Sequence, residues 1–209
     1  MRIFFTVITL LFVICGTVSI FGVDVDEILA AAKEGNLELM KQLKEEGADI
    51  NAKANEDENG WTPMHYAAYH GHLEVMIWLK DQGVDVNVKA DDDRTPMHRA
   101  AFKGHLAVMQ WLVDQGAGIN AKDNYCRTPM HWAARGGNLE SMQWLKEQGV
   151  DVNVKDRGDR TPMYDAAEKD KLEAMLWLKN QGVDVNTKNK YGRIPMHLAA
   201  SDGSLEAIQ

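Results

Sequence analysis

The chain has 209 residues, of which 45% are hydrophobic and 26% charged, and this balance excludes an intrinsically disordered protein. Its formal net charge is −8 at pH 7, which argues against a protein that binds nucleic acid or an anionic membrane through its overall charge. A folded protein of ordinary composition remains.

The first residues differ from the rest of the chain. Arg2 is followed by an uncharged, largely apolar run over residues 3–23, and Asp24 is the first acid. A basic start, an apolar centre and small residues near the end are typical of a secretory signal peptide, so residues 1–22 are predicted to be removed and the protein to be secreted or exported. The alternative is an uncleaved anchor in a membrane, because the run approaches the roughly 20 residues that span a bilayer.

Two cysteines are present, and Cys15 lies within this apolar segment. Removal of the apolar segment would leave Cys126 as the only cysteine, so no intramolecular disulfide is predicted. The folded protein must then gain its stability from its core.

A four-residue motif recurs along the chain at an interval of 33 residues. It reads Thr-Pro-Met-His in its first three copies, and the five copies begin at Thr62, Thr95, Thr128, Thr161 and Ile194. Two further columns keep the same interval, one of tryptophan at Trp78, Trp111, Trp144 and Trp177 and one of glycine at Gly83, Gly116, Gly149 and Gly182. Landmarks that share one register indicate an internal repeat.

Each repeat is predicted to contain two short helices and a hairpin. Threonine before proline is typical of a helix start, because the hydroxyl can cap free N–H groups and proline suits the first helical position. Alanines such as Ala67 and Ala68 allow a second helix to approach closely, and Gly71 ends the first helix. The second helix ends at Gly83, and the segment from Val84 to the next motif is predicted to form an extended hairpin.

Together these features resemble the ankyrin repeat. The resemblance rests on Thr-Pro-x-His, the Ala-Ala pair, Gly-His at residues 71–72 and 104–105, and Gly-x-Asp-x-Asn, and it covers residues 24–209. It implies an all-α repeat fold, a solenoid of stacked helix-turn-helix units with β-hairpin fingers and a concave binding face. It also implies a protein–protein interaction module rather than an enzyme.

About six units are predicted. They are an N-terminal capping unit over residues 24–57, full units that start near residues 58, 91, 124 and 157, and a truncated last unit over residues 190–209. The capping unit lacks the motif, although Asp26 can still cap its first helix. In the fifth unit Tyr164 replaces the histidine and Asp170 replaces the glycine between the helices, so this unit is expected to be the least regular.

The last unit stops within its second helix, without a polar capping repeat. A fragment of a longer protein is favoured over a stack whose end is covered by a partner or a second copy. The alternative function is therefore a regulatory or targeting part of a longer protein that carries a catalytic domain elsewhere. Otherwise the chain is predicted to be a monomer.

In the family, recognition residues lie on the finger tips and on the exposed side of the first helix. In units two to four these positions carry tyrosine, tryptophan and arginine, which dominate interface hot spots. The alternative is that they are solvated positions with no common role. The predicted partner-binding residues are Trp61, Tyr66, Tyr69, His70, Arg94, Arg99, Phe102, Lys103, Arg127, Trp132 and Arg135.

Other sites receive weaker support. A row of finger cations permits a polyanion-binding alternative, but interleaved acids favour charge pairing within the fingers, and a nucleic-acid partner is not predicted. The histidines of the motif recur once per repeat, and the resemblance implies that they bond the backbone of the neighbouring unit. His65, His70 and His72 lack a cysteine or acid that would complete a metal site, so no catalytic residue, cofactor or metal is predicted. The tryptophan column is expected to pack between repeats.

Overall fold

The computed structural model describes residues 24–55 and 59–201. The predicted signal segment (residues 1–22) and the end of the predicted truncated unit (residues 202–209) lie outside them. Within the described ranges the chain forms eleven α-helices and no β-strand. In chain order these are α1 Val25–Glu34, α2 Leu37–Glu45, α3 Pro63–His70, α4 Leu73–Asp81, α5 Pro96–Lys103, α6 Leu106–Asp114, α7 Pro129–Gly136, α8 Leu139–Glu147, α9 Pro162–Glu168, α10 Leu172–Asn180 and α11 Pro195–Ser201.

The helices alternate between two layers of one stack. The first helices of the pairs, α1, α3, α5, α7, α9 and α11, pack on each other in series, and each of α1, α3, α5, α7 and α9 also packs on its own second helix. The second helices contact one another less extensively. The fully buried pairs Ala67-Ala68 and Ala100-Ala101 explain the difference, because a methyl side chain lets neighbouring backbones approach closely. The predicted helix-turn-helix stack is therefore confirmed.

A continuous hydrophobic core runs along the stack between the two layers. The methionines of the first four motif copies are buried, as are the leucines at the same position of successive second helices, such as Leu79 and Leu112. Cutting one such leucine to alanine costs about 2–5 kcal/mol in comparable cores. The tryptophan column is half-buried and packs against this core, as predicted.

The first helix begins differently from the others. Asp24 is its N-terminal cap, and the carboxylate accepts the backbone N–H of Asp26 at 3.1 Å. Asp26, the predicted cap, lies instead in the first turn. Both acids lie near the positive end of the helix dipole, where a negative charge is favourable. The sequence therefore predicts the start of this helix but places the capping residue two positions too late.

The motif histidines join neighbouring repeats, as the resemblance implied. The Nδ1 atom of His65 accepts the backbone N–H of Thr62 at 3.2 Å, while Nε2 lies 2.9 Å from the carbonyl oxygen of Arg94 and donates to it. His98 and His131 repeat both bonds one and two units later. Burial lowers the pKa of His65 to about 3 and that of His98 to about 4, so these rings are neutral.

The fingers are tight turns connected at their tips. Within one finger the N–H of Ala90 donates to the carbonyl of Arg94 at 2.9 Å, and the N–H of Asp91 reaches back to Asn59 in the preceding finger at 3.0 Å. The backbone of each finger reverses direction as expected of a hairpin, but no β-strand forms in the described ranges. Cys126 adopts a φ of 61° at the turn position that glycine occupies in two other fingers.

The fifth unit departs from the others locally. The hydroxyl of Tyr164 donates to the carbonyl of Arg193 and so replaces the hydrogen bond that the motif histidine makes to the next finger. The capping interaction between threonine and histidine at the start of the helix is absent from α9. After this helix Asp170 adopts a φ of +52°, where Gly71, Gly104 and Gly137 stand in the preceding pairs. An L-residue pays a steric cost in this left-handed conformation.

Replacing Asp170 by glycine should therefore stabilise the protein. The Asp170→Gly variant is expected to raise the free energy of unfolding by about 1 kcal/mol and the melting temperature by about 3 °C. Asp170→Ala is the matched control, because it removes the carboxylate and keeps the Cβ atom. Thermal unfolding measures both, and equal stabilisation by the two variants would contradict the steric explanation.

The buried histidines should make the stack sensitive to acid. Because burial holds their folded-state pKa values far below 6.5, the unfolded chain takes up protons first, and the stability that they contribute above pH 6.5 is lost as the pH falls. The free energy of unfolding should fall by about 2 kcal/mol for each of His65 and His98 between a pH of about 6.5 and about 5. Urea unfolding at several pH values measures this change.

The His98→Tyr variant provides the control, because Tyr164 shows that a tyrosine can donate the same inter-repeat bond without titrating in this range. Its free energy of unfolding should depend less on pH. An identical pH dependence in variant and parent would refute the assignment.

Candidate functional site

The predicted partner-binding residues gather on the side of the stack formed by the first helices and the fingers, but they differ in exposure. Lys103 is exposed, and the others that reach the surface are half-buried: Trp61, Tyr69, His70, Arg94, Phe102, Arg127 and Arg135. Tyr66, Arg99 and Trp132 are buried, with only 7%, 4% and 6% of their surfaces exposed. The exposure expected for these three residues was therefore wrong. Their part in binding stays a prediction.

These three residues are buried because their side chains extend toward the fingers and do not point into solvent. Each of the three follows the motif histidine, one turn into its helix. Trp132 turns toward its own finger and donates its Nε1–H to Asp123 at 3.2 Å, and the guanidinium of Arg99 lies 3.6 Å from Asp92. Sequence position alone does not distinguish a side chain that folds back in this way from one that faces solvent.

Five aromatic side chains form a row across α3, α5 and α7, which we call the aromatic row. Trp61 lies with its ring centroid 5.0 Å from Tyr66 and 5.3 Å from Tyr69. Tyr69 stacks on Phe102 at 6.2 Å, and Phe102 meets Trp132 edge-on at 5.8 Å. Such pairs contribute about 0.5–1.5 kcal/mol each beyond the area that they bury.

Cations cover the aromatic row at both ends. The guanidinium of Arg99 lies 3.7 Å from the ring centroid of Trp61, and those of Arg94 and Arg127 lie 4.1 and 4.5 Å from that of Trp132. Burial, together with the nearby Arg94, lowers the pKa of Arg99 to about 9. The predicted arginines thus hold the aromatic rings in place through cation–π contacts.

Acidic side chains of the fingers pair with these arginines. Arg94 lies 2.9 Å from Asp92, and Arg127 lies 3.0 Å from the buried Asp123. Burial opposes ionisation of Asp123, but the N–H and guanidinium of Arg127 outweigh it and lower the pKa of this carboxyl. The predicted charge pairing within fingers is confirmed for these cations.

Other finger cations behave differently from that prediction. Lys53 pairs with Asp91 of the next finger at 2.8 Å, and Arg160 pairs with Glu168 of α9 at 2.6 Å. Four more make no ion pair among the residues that the structure describes: Lys122, Lys155, Lys188 and Arg193. Charge pairing is therefore strongest beside the aromatic row.

A second charge network borders the row at α9. Arg135 lies 3.3 Å from Asp165 and 2.8 Å from Glu168, and Arg160 contacts the same two acids. Burial raises the pKa of Asp165 above its usual value despite the surrounding cations. Burial also opposes ionisation of Glu168, but hydrogen bonds from the two arginines lower its pKa.

Two clefts open beside the aromatic row. The aromatic cleft has a volume of about 290 Å³, and its lining residues are Lys33, Asn59, Trp61, Tyr66, Tyr69 and His70. The basic cleft has a volume of about 350 Å³, and its lining side chains are those of Phe102, Lys103, Arg135, Asn138, Lys169 and Lys171. The stacked rings of Tyr69 and Phe102 link the two clefts.

Asn138 and Lys171 were missed as candidate site residues. They belong to a column that also contains His72 and His105, directly after the turn between the helices. His105 bonds the carbonyl of Tyr69 at 3.0 Å, and Asn138 donates to that of Phe102 at 2.8 Å, so the column closes the ends of preceding helices. The sequence signal that could have identified Lys171 is the lysine itself, because the preceding units carry histidine or asparagine in this column.

The described part of the chain shows neither a metal-binding cluster nor a membrane-spanning helix. Residues 24–55 and 59–201 contain no cluster of three or more histidine, cysteine or acidic side chains arranged to hold a metal ion. None of the helices in these residues has the length and apolar character needed to cross a membrane.

Comparisons with known proteins agree with this architecture. The family model described as ankyrin repeats (3 copies) matches residues 28–123, 79–156 and 130–209, which together extend over most of the chain. A search of curated proteins finds no match. Helix pairs recur at an interval of 33 residues, buried motif histidines join them, and the family model matches residues 28–209. The chain therefore belongs to the ankyrin repeat family.

Proposed function

We propose that this chain binds a protein partner through the aromatic row, the two clefts beside it and the adjoining fingers. Ankyrin repeats are generally protein–protein interaction modules, and the family is typically a non-enzymatic scaffold. The observation that carries the proposal is the aromatic row itself, because it continues across three repeats on one side of the stack. Half-buried tyrosine, tryptophan and phenylalanine are the side chains that supply most of the energy at interfaces.

Rigid support of the row favours binding. Arg99 holds Trp61 from one side, while Arg94 and Arg127 hold Trp132, and these arginines are themselves fixed by finger acids. Side chains that are already ordered lose less conformational entropy when a partner docks. The surface is therefore preorganised for recognition.

The second helices, on the other side of the stack, carry a different surface: the half-buried tryptophan column packs against the core, and no ring–ring contact joins its four members in the described residues. The outward positions of the second helices α4, α6, α8 and α10 carry Ile77, Gln110, Gln143 and Leu176, in which the two apolar residues are separated by two polar ones. Single exposed apolar residues of this kind are common and need no functional explanation. This contrast supports the first-helix side as the binding surface.

The proposed location follows from the first residues of the sequence. The basic and apolar character of residues 1–22 supports export, so the proposed partner is a protein outside the cytosol. An uncleaved segment would hold the repeats at a membrane and would leave the proposed binding surface unchanged.

The double variant Tyr69→Ala/Phe102→Ala should lose partner binding. Partners captured by the immobilised full-length chain would be purified and titrated against both proteins, and the variant is expected to bind about a hundredfold more weakly because two central aromatic side chains are lost. The matched control is Ile77→Ala/Leu176→Ala on the second helices, which should bind within a few-fold of the parent. Unchanged affinity of the aromatic variant would refute the proposal.

Arg135 is left unchanged in this test for a structural reason. It is one of two arginines that face the buried Asp165, and removing one partner of a buried charge pair costs about 3 kcal/mol or more. Loss of binding in an Arg135 variant would mix recognition with stability. Tyr69 and Phe102 make three ring contacts of the aromatic row, so their variant should lose about 2–4 kcal/mol of stability, and binding is compared at a temperature at which thermal unfolding shows both proteins to be folded.

A further inference from the structure

The basic cleft carries positive charge that the protein itself does not neutralise. The ammonium groups of Lys103, Lys169 and Lys171 make no ion pair or hydrogen bond among the described residues, although that of Lys103 lies 4.9 Å from the ring centroid of Tyr69. The chain as a whole has a net charge of −8, so this local excess opposes the overall balance. Three like charges brought to one concavity repel each other in the absence of an anion.

Helix capping does not account for Lys103, although Lys169 is the C-terminal cap residue of α9. A cation near the C-terminal end of a helix can offset the dipole of that helix, and Lys103 is the last residue of α5. However, Asn138 already donates to the carbonyls of Ala101 and Phe102 at 2.9 and 2.8 Å, so the end of α5 is closed without a lysine. The ammonium groups thus remain available to a ligand.

Two glycines at the end of α7 allow close approaches beside the basic cleft. Gly136 lies in its lining, and a Cβ atom at this position would fall 2.2 Å from the carbonyl oxygen of Phe102. The aliphatic stem of Lys171 packs over Gly137, where a Cβ atom would fall 2.8 Å from Cδ of the lysine. Gly137 therefore allows the stem of Lys171 to lie close to the backbone, and Gly136 allows α7 to approach the end of α5.

We propose that the basic cleft binds aspartate or glutamate side chains of an acidic segment in the protein partner, next to an apolar side chain that packs on Phe102 and Tyr69. This inference rests on the proposed function and specifies the chemistry of its partner. Charge complementarity selects the acidic residues, and the stacked rings between the two clefts select the apolar one. Glu168 and the net negative charge of the chain disfavour an extended polyanion such as a nucleic acid.

The test begins with a random-peptide display library selected on the immobilised full chain. Enriched peptides should combine aspartate or glutamate with a neighbouring apolar residue. The strongest of them, synthesised with a fluorescent label, is then titrated by anisotropy beside a copy in which every acid is replaced by its amide. The acidic peptide should bind at least about tenfold more tightly, and its advantage should shrink as the ionic strength rises from about 0.05 M to about 0.5 M.

Two triple variants locate the interaction. The first neutralises the basic cleft and should lose most of the preference for the acidic peptide: Lys103→Gln, Lys169→Gln and Lys171→Gln. The second changes the net charge by the same amount in the fingers and should keep that preference: Lys122→Gln, Lys155→Gln and Lys188→Gln. Equal behaviour of the two variants would overturn the proposal, because the effect would then come from overall charge.

The remaining outcomes separate the two proposals. Enriched peptides without acidic residues that still lose binding to the Tyr69→Ala/Phe102→Ala protein would overturn the acidic-segment inference and support the proposed function. Peptides that bind that variant as well as the parent would count against both. Displacement of the acidic peptide by inorganic phosphate, beyond that by chloride at equal ionic strength, would overturn the carboxylate assignment in favour of a phosphorylated partner.

Discussion

The hydrogen bond from the motif histidines His65, His98 and His131 to the next finger is the interaction on which the rest of the structure depends. One repeat is too small to bury its own apolar face, so its helices are stable only against a correctly placed neighbour. The Nε2–H of His65 fixes that placement by bonding the carbonyl of Arg94, and His98 does the same at Arg127. A buried carbonyl without a donor would be costly, so a slipped stack is disfavoured.

The same bonds organise the proposed binding surface. The carbonyls of Arg94 and Arg127 are held by the histidines, and the side chains of these two arginines both contact the ring of Trp132. Each finger therefore has its backbone fixed by one repeat and its side chain directed onto the next. Stability and recognition are coupled here because an aromatic side chain keeps its orientation only while the repeat beneath it is in register.

Features that repeat every 33 residues could be predicted from the sequence, while features that depend on side-chain reach could not. The helix pairs and the role of His65 follow from periodic motifs, because any residue required in every unit must serve the stack. Trp132 and Arg99 occupy positions that are exposed in the family pattern, yet Asp123 and Asp92 draw them inward. That outcome depends on which finger acid meets which helix residue in each unit: Asp92 has no acidic counterpart one repeat later, whereas Asp123 recurs as Asp156. Lys171 was missed because its column serves capping elsewhere.

The irregular fifth unit lies at the boundary of the proposed binding surface. The position after the motif histidine carries Tyr66, Arg99 and Trp132 in the preceding units but the acid Asp165 here. This buried acid and Glu168 hold Arg135, which lies 5.9 Å from the ring centroid of Trp132. Beyond that boundary Lys171 replaces the histidine or asparagine of the capping column and faces the basic cleft. The departures from the repeat pattern that weaken this unit as a structural module thus place charge beside the aromatic row. A surface that joins apolar and cationic groups can discriminate between partners more sharply than aromatic contacts alone, because a partner without a matching acid leaves the lysines uncompensated.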